Sequence, residues 1–344
     1  MIETSSLVID ENTQLIEATA LHVDTVKISH AYRNYDLPPP EELEDKGFEL
    51  TSKRRKNSNN IISNNIITAH LKPTYFAHYH LTVIKSDFGY CGINIELSLA
   101  KYHDNSGLGV QTDDDIDSVF YEIDFIIRQL VGVKFDSRTA KVSRLDVNAD
   151  FPVGEDMLYS YLNSISRPNS RYTPATFGDT TRQFHNKSRK LIVYGKYEEV
   201  KKQVKKGRAT VDDLEAAKGI LRLEVSLRKA PLIRLAKKLN LSAEASKLIN
   251  LSVGNHIISE GLHHLRLDMT KISNDKLYRL MSENFGTDAP LMLGIIQYRE
   301  AFGDDFWKVF GWSQATYYRK IKRLKDANLW DISPDEELPA LVLP

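Results

Sequence analysis

The residues with the greatest chemical reach fall on short stretches that alternate apolar and polar side chains. In RKLIVYGKYEEV, Tyr194 and Lys196 stand two positions apart. In KVSRLDVNADF, Arg144, Asp146, Asn148 and Asp150 alternate with Leu145, Val147, Ala149 and Phe151. ILRLEVSLR sets Arg222, Glu224, Ser226 and Arg228 against Leu221, Leu223, Val225 and Leu227, and GINIELS sets Asn94, Glu96 and Ser98 against Ile93, Ile95 and Leu97. Side chains alternate across a strand, so each stretch has one apolar and one polar face. If the four pair in one sheet, Asp146, Glu224, Glu96, Tyr194 and Lys196 share a surface. Carboxylates that converge repel one another unless a cation joins them, and hard oxygen donors suit Mg2+ or Mn2+. A phenol beside such an ion can attack a phosphodiester, while a lysine lowers the phenol pKa or balances the phosphorane. The same pattern also describes an ordinary half-buried antiparallel sheet decorated by cross-strand Arg–carboxylate pairs. The residues alone leave both readings open.

The elements that must position these strands follow an α+β pattern. Residues 18–30 and 66–85 alternate like strands, and the segments PPPEELEDKG and KRRKNSNNIISNN between them read as loops. Residues 114–132 suit an amphipathic helix with Val119, Phe120, Ile123, Ile127, Leu130 and Val131 on its apolar side. A helix is expected near EDMLYSYLNSI, then a polar loop, SRPNSRYTP, and a charged helical stretch after the Tyr194 strand. Beyond about Lys229 helical patterns take over, in APLIRLAKKL, SAEASKLINL, DKLYRLMSENF and APLMLGIIQYREAF. The expected organisation is an antiparallel sheet with flanking helices over residues 1–228, then an all-helical domain over 229–344.

With 344 residues, 42% hydrophobic and 27% charged, the composition is that of an ordinary soluble globular protein long enough for two domains. No apolar run approaches the ~20 residues needed to span a bilayer. MIETSSLVIDEN lacks the basic and apolar regions of a secretory leader, so a cytoplasmic location is expected. Cys91 is the single cysteine, which excludes an intrachain disulfide and any cysteine-based zinc site. The formal net charge of zero conceals basic clusters at Ser52–Lys56, Lys187–Arg208 and Tyr317–Lys325. Basic residues gathered on one surface attract phosphate whatever the overall charge, which points to nucleic acid.

The last of these clusters lies in residues 303–330, GDDFWKVFGWSQATYYRKIKRLKDANLW. A short apolar helix is expected to end at Gly311, and Ser313 to cap a second running to about Leu329. Tyr317, Tyr318, Arg319, Lys320, Lys322 and Arg323 lie on that second helix, with Ile321 and Leu324 turned inward. The arrangement suggests a helix-turn-helix that enters the major groove or grips phosphates. A basic surface helix packed on its own domain fits equally well.

In their order along the chain, the motifs resemble those of the filamentous-phage replication initiators, the gene II/X protein family of rolling-circle nickases, and related plasmid initiators. SLAKYHDN resembles the family's Ser-Pro-x-Lys segment, with Leu99 in place of the proline; SRLDVNADF, RKLIVYGKYEEV and LRLEVSLR resemble its Asp, Tyr-x-Lys and Glu strands. The resemblance implies a replication-initiator nickase core in which Tyr194 attacks the scissile phosphate at a replication origin. A 5′-phosphotyrosine and a free 3′-OH would result, and the reverse reaction would close the displaced strand. Asp146 and Glu224 carry over as ligands of Mg2+ or Mn2+, Lys196 as the basic partner of the tyrosine, and Glu96 as a less securely matched ligand. Lys101, Arg144 and Arg222, basic residues within the motifs, are expected to meet DNA. The implied partners are double- and single-stranded origin DNA with a host helicase and polymerase, and no membrane. His78-Tyr79-His80 has the form of the metal motif of the broader HUH nickase superfamily, although the pair also suits half-buried sheet residues. Tyr197 and Tyr172 are alternative nucleophiles, Tyr197 on the opposite strand face and Tyr172 in a loop. The competing function is a non-enzymatic, sequence-specific DNA-binding protein, a repressor or origin-marking factor, that works through the C-terminal basic helix.

Overall fold

The computed structural model describes residues 15–56, 62–71, 79–87, 90–99, 111–165, 168, 171–269, 271–272, 274–302, 306–308, 311–327, 329–330, 333–334 and 338–344. The strands are β1 (Leu15–Glu17), β2 (Ala20–Tyr32), β3 (Phe48–Lys56), β4 (Ile62–Leu71), β5 (Tyr79–Ser86), β6 (Cys91–Ser98), β7 (Lys141–Pro152), β8 (Thr173–Thr176), β9 (Thr181–His185), β10 (Arg189–Gly195), β11 (Ile220–Arg228), β12 (Lys271–Ile272), β13 (Ser333–Pro334) and β14 (Ala340–Val342). The helices are α1 (Pro40–Asp45), α2 (Asp113–Val131), α3 (Glu155–Ser164), α4 (Lys196–Lys205), α5 (Val211–Ala216), α6 (Lys229–Lys238), α7 (Ala245–Leu248), α8 (Leu251–Leu265), α9 (Asn274–Phe285), α10 (Ala289–Phe302) and α11 (Gln314–Asp326).

Among the described residues ten strands form one antiparallel sheet in the order β3-β4-β5-β6-β2-β7-β11-β10-β9-β8. The α+β class with a large antiparallel sheet and flanking helices is therefore as expected. β7 lies near the centre, and even its polar residues Asp146, Asn148 and Asp150 are buried, each 2% exposed. One face of the sheet presents Leu145, Val147, Leu191, Val193, Leu223 and Val225 to the main core. Helix α8 lies across this face, burying Val253, Ile257, Ile258, Leu262 and Leu265. It fits because two glycines one heptad apart face the sheet. A Cβ at Gly261 would stand 2.7 Å from Val225 Cγ2, and one at Gly254 would stand 3.3 Å from Val147 Cγ1. Asp113, at the start of α2, accepts a hydrogen bond from Leu251 N at 2.8 Å and so ties the start of α8 to α2.

Several local expectations change. Two stretches read as loop are strand: Lys53–Lys56 lies in β3 and Ile62–Asn65 in β4, which pair from Phe48↔Leu71 to Lys56↔Ile62. β3 is an edge strand, and charged side chains on an edge strand oppose pairing with another chain, which is why it reads as polar. PPPEELEDKG forms α1 with Pro40 at its first position, where a missing N–H costs nothing. The short strands β8 and β9 arise in and after a stretch whose sequence reads as loop. The Tyr194 strand ends at Gly195, and Lys196 opens α4.

The chain beyond Lys229 is not wholly helical, since β12 pairs with β13 and β14 pairs in parallel with β1. Its first helices also belong to the sheet. The main cluster of buried side chains includes Leu232, Leu235, Leu248, Ile258 and Leu265, and takes in Leu338 and Leu341 from the returning tail. The division expected at residue 228 thus falls inside one packed core. A second cluster, from Leu277 to Leu329, is built by α9, α10 and α11. No helix among the described residues is long and apolar enough to cross a membrane.

Candidate active site

Cross-strand register decides which polar side chains meet. Tyr194 stands opposite Arg222, and Arg222 opposite Asp150. One step along, Ile192 faces Glu224 and Glu224 faces Asn148; one step further, Lys190 faces Ser226 and Ser226 faces Asp146. On the other side of β7, His22 pairs with Asn148 and Lys27 with Arg144; Lys27 then faces Glu96, and Glu96 faces His80. Directly opposed residues project to the same side, so Tyr194, Arg222, Glu224, Asp146, Glu96 and His80 do share one face.

Sharing a face does not make them one site. Glu224 is a diagonal neighbour of Tyr194, roughly 8 Å away in an ideal sheet. Asp146 is two strands over and four residues along, roughly 17 Å away on the same geometry. Glu96 and His80 lie four and five strands from β10 and level with Arg144, six residues along, roughly 28 and 31 Å away on the same geometry. His78 and Lys101 lie outside the described residues.

The groups that touch Tyr194 come from the helix that follows it. The Tyr194 hydroxyl donates to Glu199 Oε2 at 3.0 Å, and Lys196 Nζ donates to the same oxygen at 2.6 Å. Three residues apart on one helical face, Lys196 and Glu199 meet as helical neighbours do. The Lys196 side chain is 1% exposed. Its ammonium therefore holds Glu199 and does not stand in the open beside the phenol, contrary to the strand reading. Burial pushes the Tyr194 phenol well above its usual range, and the Glu199 and Glu224 carboxylates add to this against the opposing charge of Arg222. Burial alone would raise Glu199, yet Lys196, Arg222 and the Tyr194 hydrogen bond hold it below the ordinary carboxyl value. Burial and the nearby Arg222 lower Lys196, while Glu199 opposes the shift.

Arg222 was expected to meet DNA, but its guanidinium is buried in a bidentate pair with Asp150. That pair holds Arg222 charged despite burial. Arg144 is likewise occupied: it bonds Glu96 at 2.6 Å and pairs with Asp146, which also accepts from Ser226 Oγ. Glu96 takes Lys27 at 3.2 Å as well, and these cations hold it below its ordinary value although burial works against them. Glu224 has a weaker partner, Lys190 at 4.0 Å. Burial raises its carboxyl to about 7, with Asp24 and Asp146 adding to the rise. Asp24 lies where β2 breaks register between Val23 and Val26, a bulge no sequence pattern announced.

For a divalent cation the donor chemistry fits at Glu224. A buried carboxylate crowded by two others is stabilised by a hard cation. The ligand shell is not assembled, because Asp146 is engaged by Arg144 and Ser226. Among the described residues no group of three or more His, Cys, Asp or Glu side chains gathers so that it could hold a metal.

The alternative tyrosines lie elsewhere. Tyr172 is 5% exposed in the main core. Tyr197 sits on α4 beside Lys201, whose Nζ is 5.6 Å from its ring centroid. In the second cluster, Ser313 caps α11 by accepting from Thr316 N at 3.2 Å, as expected, but a 3-10 turn at Phe306–Lys308 stands where the first helix of a helix-turn-helix was read. Tyr317, read as a DNA contact, is 5% exposed and stacks on Trp307 at 5.5 Å, so it packs within this cluster. Tyr318, Arg319, Lys322 and Arg323 are exposed, Arg323 pairing with Asp288 at 2.6 Å, and Lys320 lies over the Trp312 ring at 6.0 Å.

The missed residues are Glu199 and Asp150. Tyr-x-Lys-x-x-Glu read as a strand leading into a helix contains the Glu199 contact. The Asp150–Arg222 pair follows from setting KVSRLDVNADF against ILRLEVSLR in register.

No curated protein matches the chain. The family of the phage replication-associated gene II protein, in its N-terminal part, matches residues 49–248. That span runs from β3 into α7 and includes Asp146, Tyr194, Lys196, Glu199 and Glu224. It covers more than half of the 344 residues. Membership carries a role in starting replication, and with it the binding of DNA. The chain belongs to the phage replication initiator family of gene II-type replication-associated proteins.

Proposed function

We propose that the chain is a metal-dependent nickase and strand transferase for rolling-circle replication, with Tyr194 as its nucleophile. The observation that supports this most is the position of Tyr194. Its phenol stands at the end of the polar face, hydrogen-bonded to a carboxylate, flanked by Arg222 and diagonal to Glu224. Exposed Lys202, Lys205, Lys206 and Arg208 at and beyond the end of α4 supply positive charge for the DNA backbone. Attack by Tyr194 Oη on the scissile phosphorus forms a phosphotyrosine and breaks the P–O3′ bond. The free 3′-OH then primes a host polymerase behind a host helicase. In the reverse step a 3′-OH attacks the phosphotyrosine and closes the displaced strand. A Mg2+ or Mn2+ ion held at Glu224 would polarise the phosphodiester, whereas Asp146, engaged by Arg144 and Ser226, stands too far along the strand to share an ion with the phosphate beside Tyr194.

The test is incubation with a supercoiled plasmid carrying the cognate origin, with Mn2+ or with EDTA. Relaxation in Mn2+ and none in EDTA is the expected result. A mobility shift without relaxation would instead make the chain a non-enzymatic origin-binding protein.

A further inference from the structure

Glu199 has no role in the reaction as described above, yet it touches the reacting atom. We infer that Glu199 is the general base that takes the phenolic proton of Tyr194, and that Lys196 is a positioning residue acting through Glu199. This rests on Tyr194 being the nucleophile.

Geometry carries the inference. Glu199 Oε2 lies 3.0 Å from Tyr194 Oη, within the reach a base needs before the substrate arrives. The same oxygen accepts from Lys196 Nζ at 2.6 Å, so base and orienting group are linked as in other activated nucleophiles. Both partners come from α4, whose first residue follows β10 directly, so strand and helix fix the three groups without a loop between them. The 1% exposure of the Lys196 side chain keeps its ammonium from the solvent and from the DNA backbone, whereas the Glu199 side chain is 37% exposed and can pass a proton to water. The phenol is held protonated by burial while Glu199 remains ionised, so the pair is in the state that a base-assisted attack requires.

The step balances. Glu199 accepts the proton as the Oη–P bond forms and the P–O3′ bond breaks. The 3′-oxygen leaves with the bonding pair and takes a proton from water, and Glu199 later returns its proton to solvent. During strand closure, Glu199 takes a proton back from solvent and donates it to the departing Tyr194 oxygen, while the attacking 3′-OH gives its own proton to water.

The experiment uses the full chain and single-turnover cleavage of a single-stranded oligonucleotide bearing the origin cut site, with the covalent adduct quantified. Glu199→Gln should reduce the rate about 10²–10⁴-fold, the ordinary worth of a general base. The loss should shrink steadily as pH rises, and should shrink also when a fluorinated, more acidic tyrosine replaces Tyr194. Glu199→Asp should restore part of the rate. Lys196→Met should lower the rate less than Glu199→Gln. A structural role would lower the rate equally at every pH and with either phenol, and that result overturns the inference. Wild-type cleavage by a folded Glu199→Gln variant overturns it as well, while leaving the nucleophile intact. An adduct that persists in Tyr194→Phe overturns the underlying reading, and the role of Glu199 with it.

Discussion

The two ends of the polar face handle charge differently. At the Tyr194 end, Arg222 and Asp150 are buried together, and a buried Lys196 braces Glu199 against the phenol. At the other end, Lys27, Glu96 and Arg144 run as a chain of half-exposed ion pairs reaching Asp146. Glu224 lies between them with its carboxyl raised. A buried pair holds only while both partners remain, whereas exposed pairs contribute little each. The Tyr194 end is therefore rigid and costly to disturb, and the Glu96 end tolerates change. On the function proposed above, the rigid end is the one suited to the chemistry, because a nucleophile and its base need fixed geometry.

The comparison breaks most visibly at Asp150. Asp150→Ala leaves the Arg222 guanidinium buried without its main counter-charge and should cost about 3–5 kcal/mol in urea unfolding. It should also impair nicking, because Arg222 stands beside Tyr194. Next comes the support beneath. Gly261→Ala pushes a Cβ against Val225, Leu223 and Leu191 and should cost about 1–3 kcal/mol, with Gly254→Ala costing less.

Glu224 tests the middle of the face through pH. Its folded carboxyl titrates near 7 against an ordinary 4.5, so the folded state binds the extra proton between those values. Its contribution to stability is full below about 4.5 and is lost as pH rises through about 7. Glu224→Gln should flatten that dependence. Mn2+ added above pH 7 should raise the melting temperature of the wild type and leave Glu224→Gln unchanged, since an ion that binds only the folded state stabilises it. The smallest effect belongs to the exposed end: Lys27→Met should shift stability by less than about 1 kcal/mol and spare nicking.

The central strands were legible in the sequence because their alternation is strict. β7, β10 and β11 emerge with the polar and apolar faces expected of them, and α2 runs over Asp113–Val131 where its apolar stripe placed it. β3, β8 and β9 were not legible, since edge and short strands need no apolar face. Helix α8 was hidden by Gly254 and Gly261, residues that weaken an isolated helix but allow this one to lie close on the sheet. Alternation sets Tyr194, Glu224 and Asp146 on one face, with Glu224 diagonal to Tyr194, but the expected convergence of both carboxylates on Tyr194 needed a register that spacing could not show: Asp146 faces Ser226 and lies four residues along. Register is set by pairing across 80 residues of chain, and no local pattern encodes it. Glu199 was missed because Lys196 reads as the end of a strand and not as the first turn of a helix.

The most direct measurement is mass-spectrometric mapping of the covalent DNA adduct formed with an origin oligonucleotide. A nucleotide 5′-phosphate linked to the peptide that contains Tyr194, and absent from Tyr194→Phe, is the expected result. An adduct on Tyr197 or Tyr172, or cleavage with no adduct at all, would contradict it.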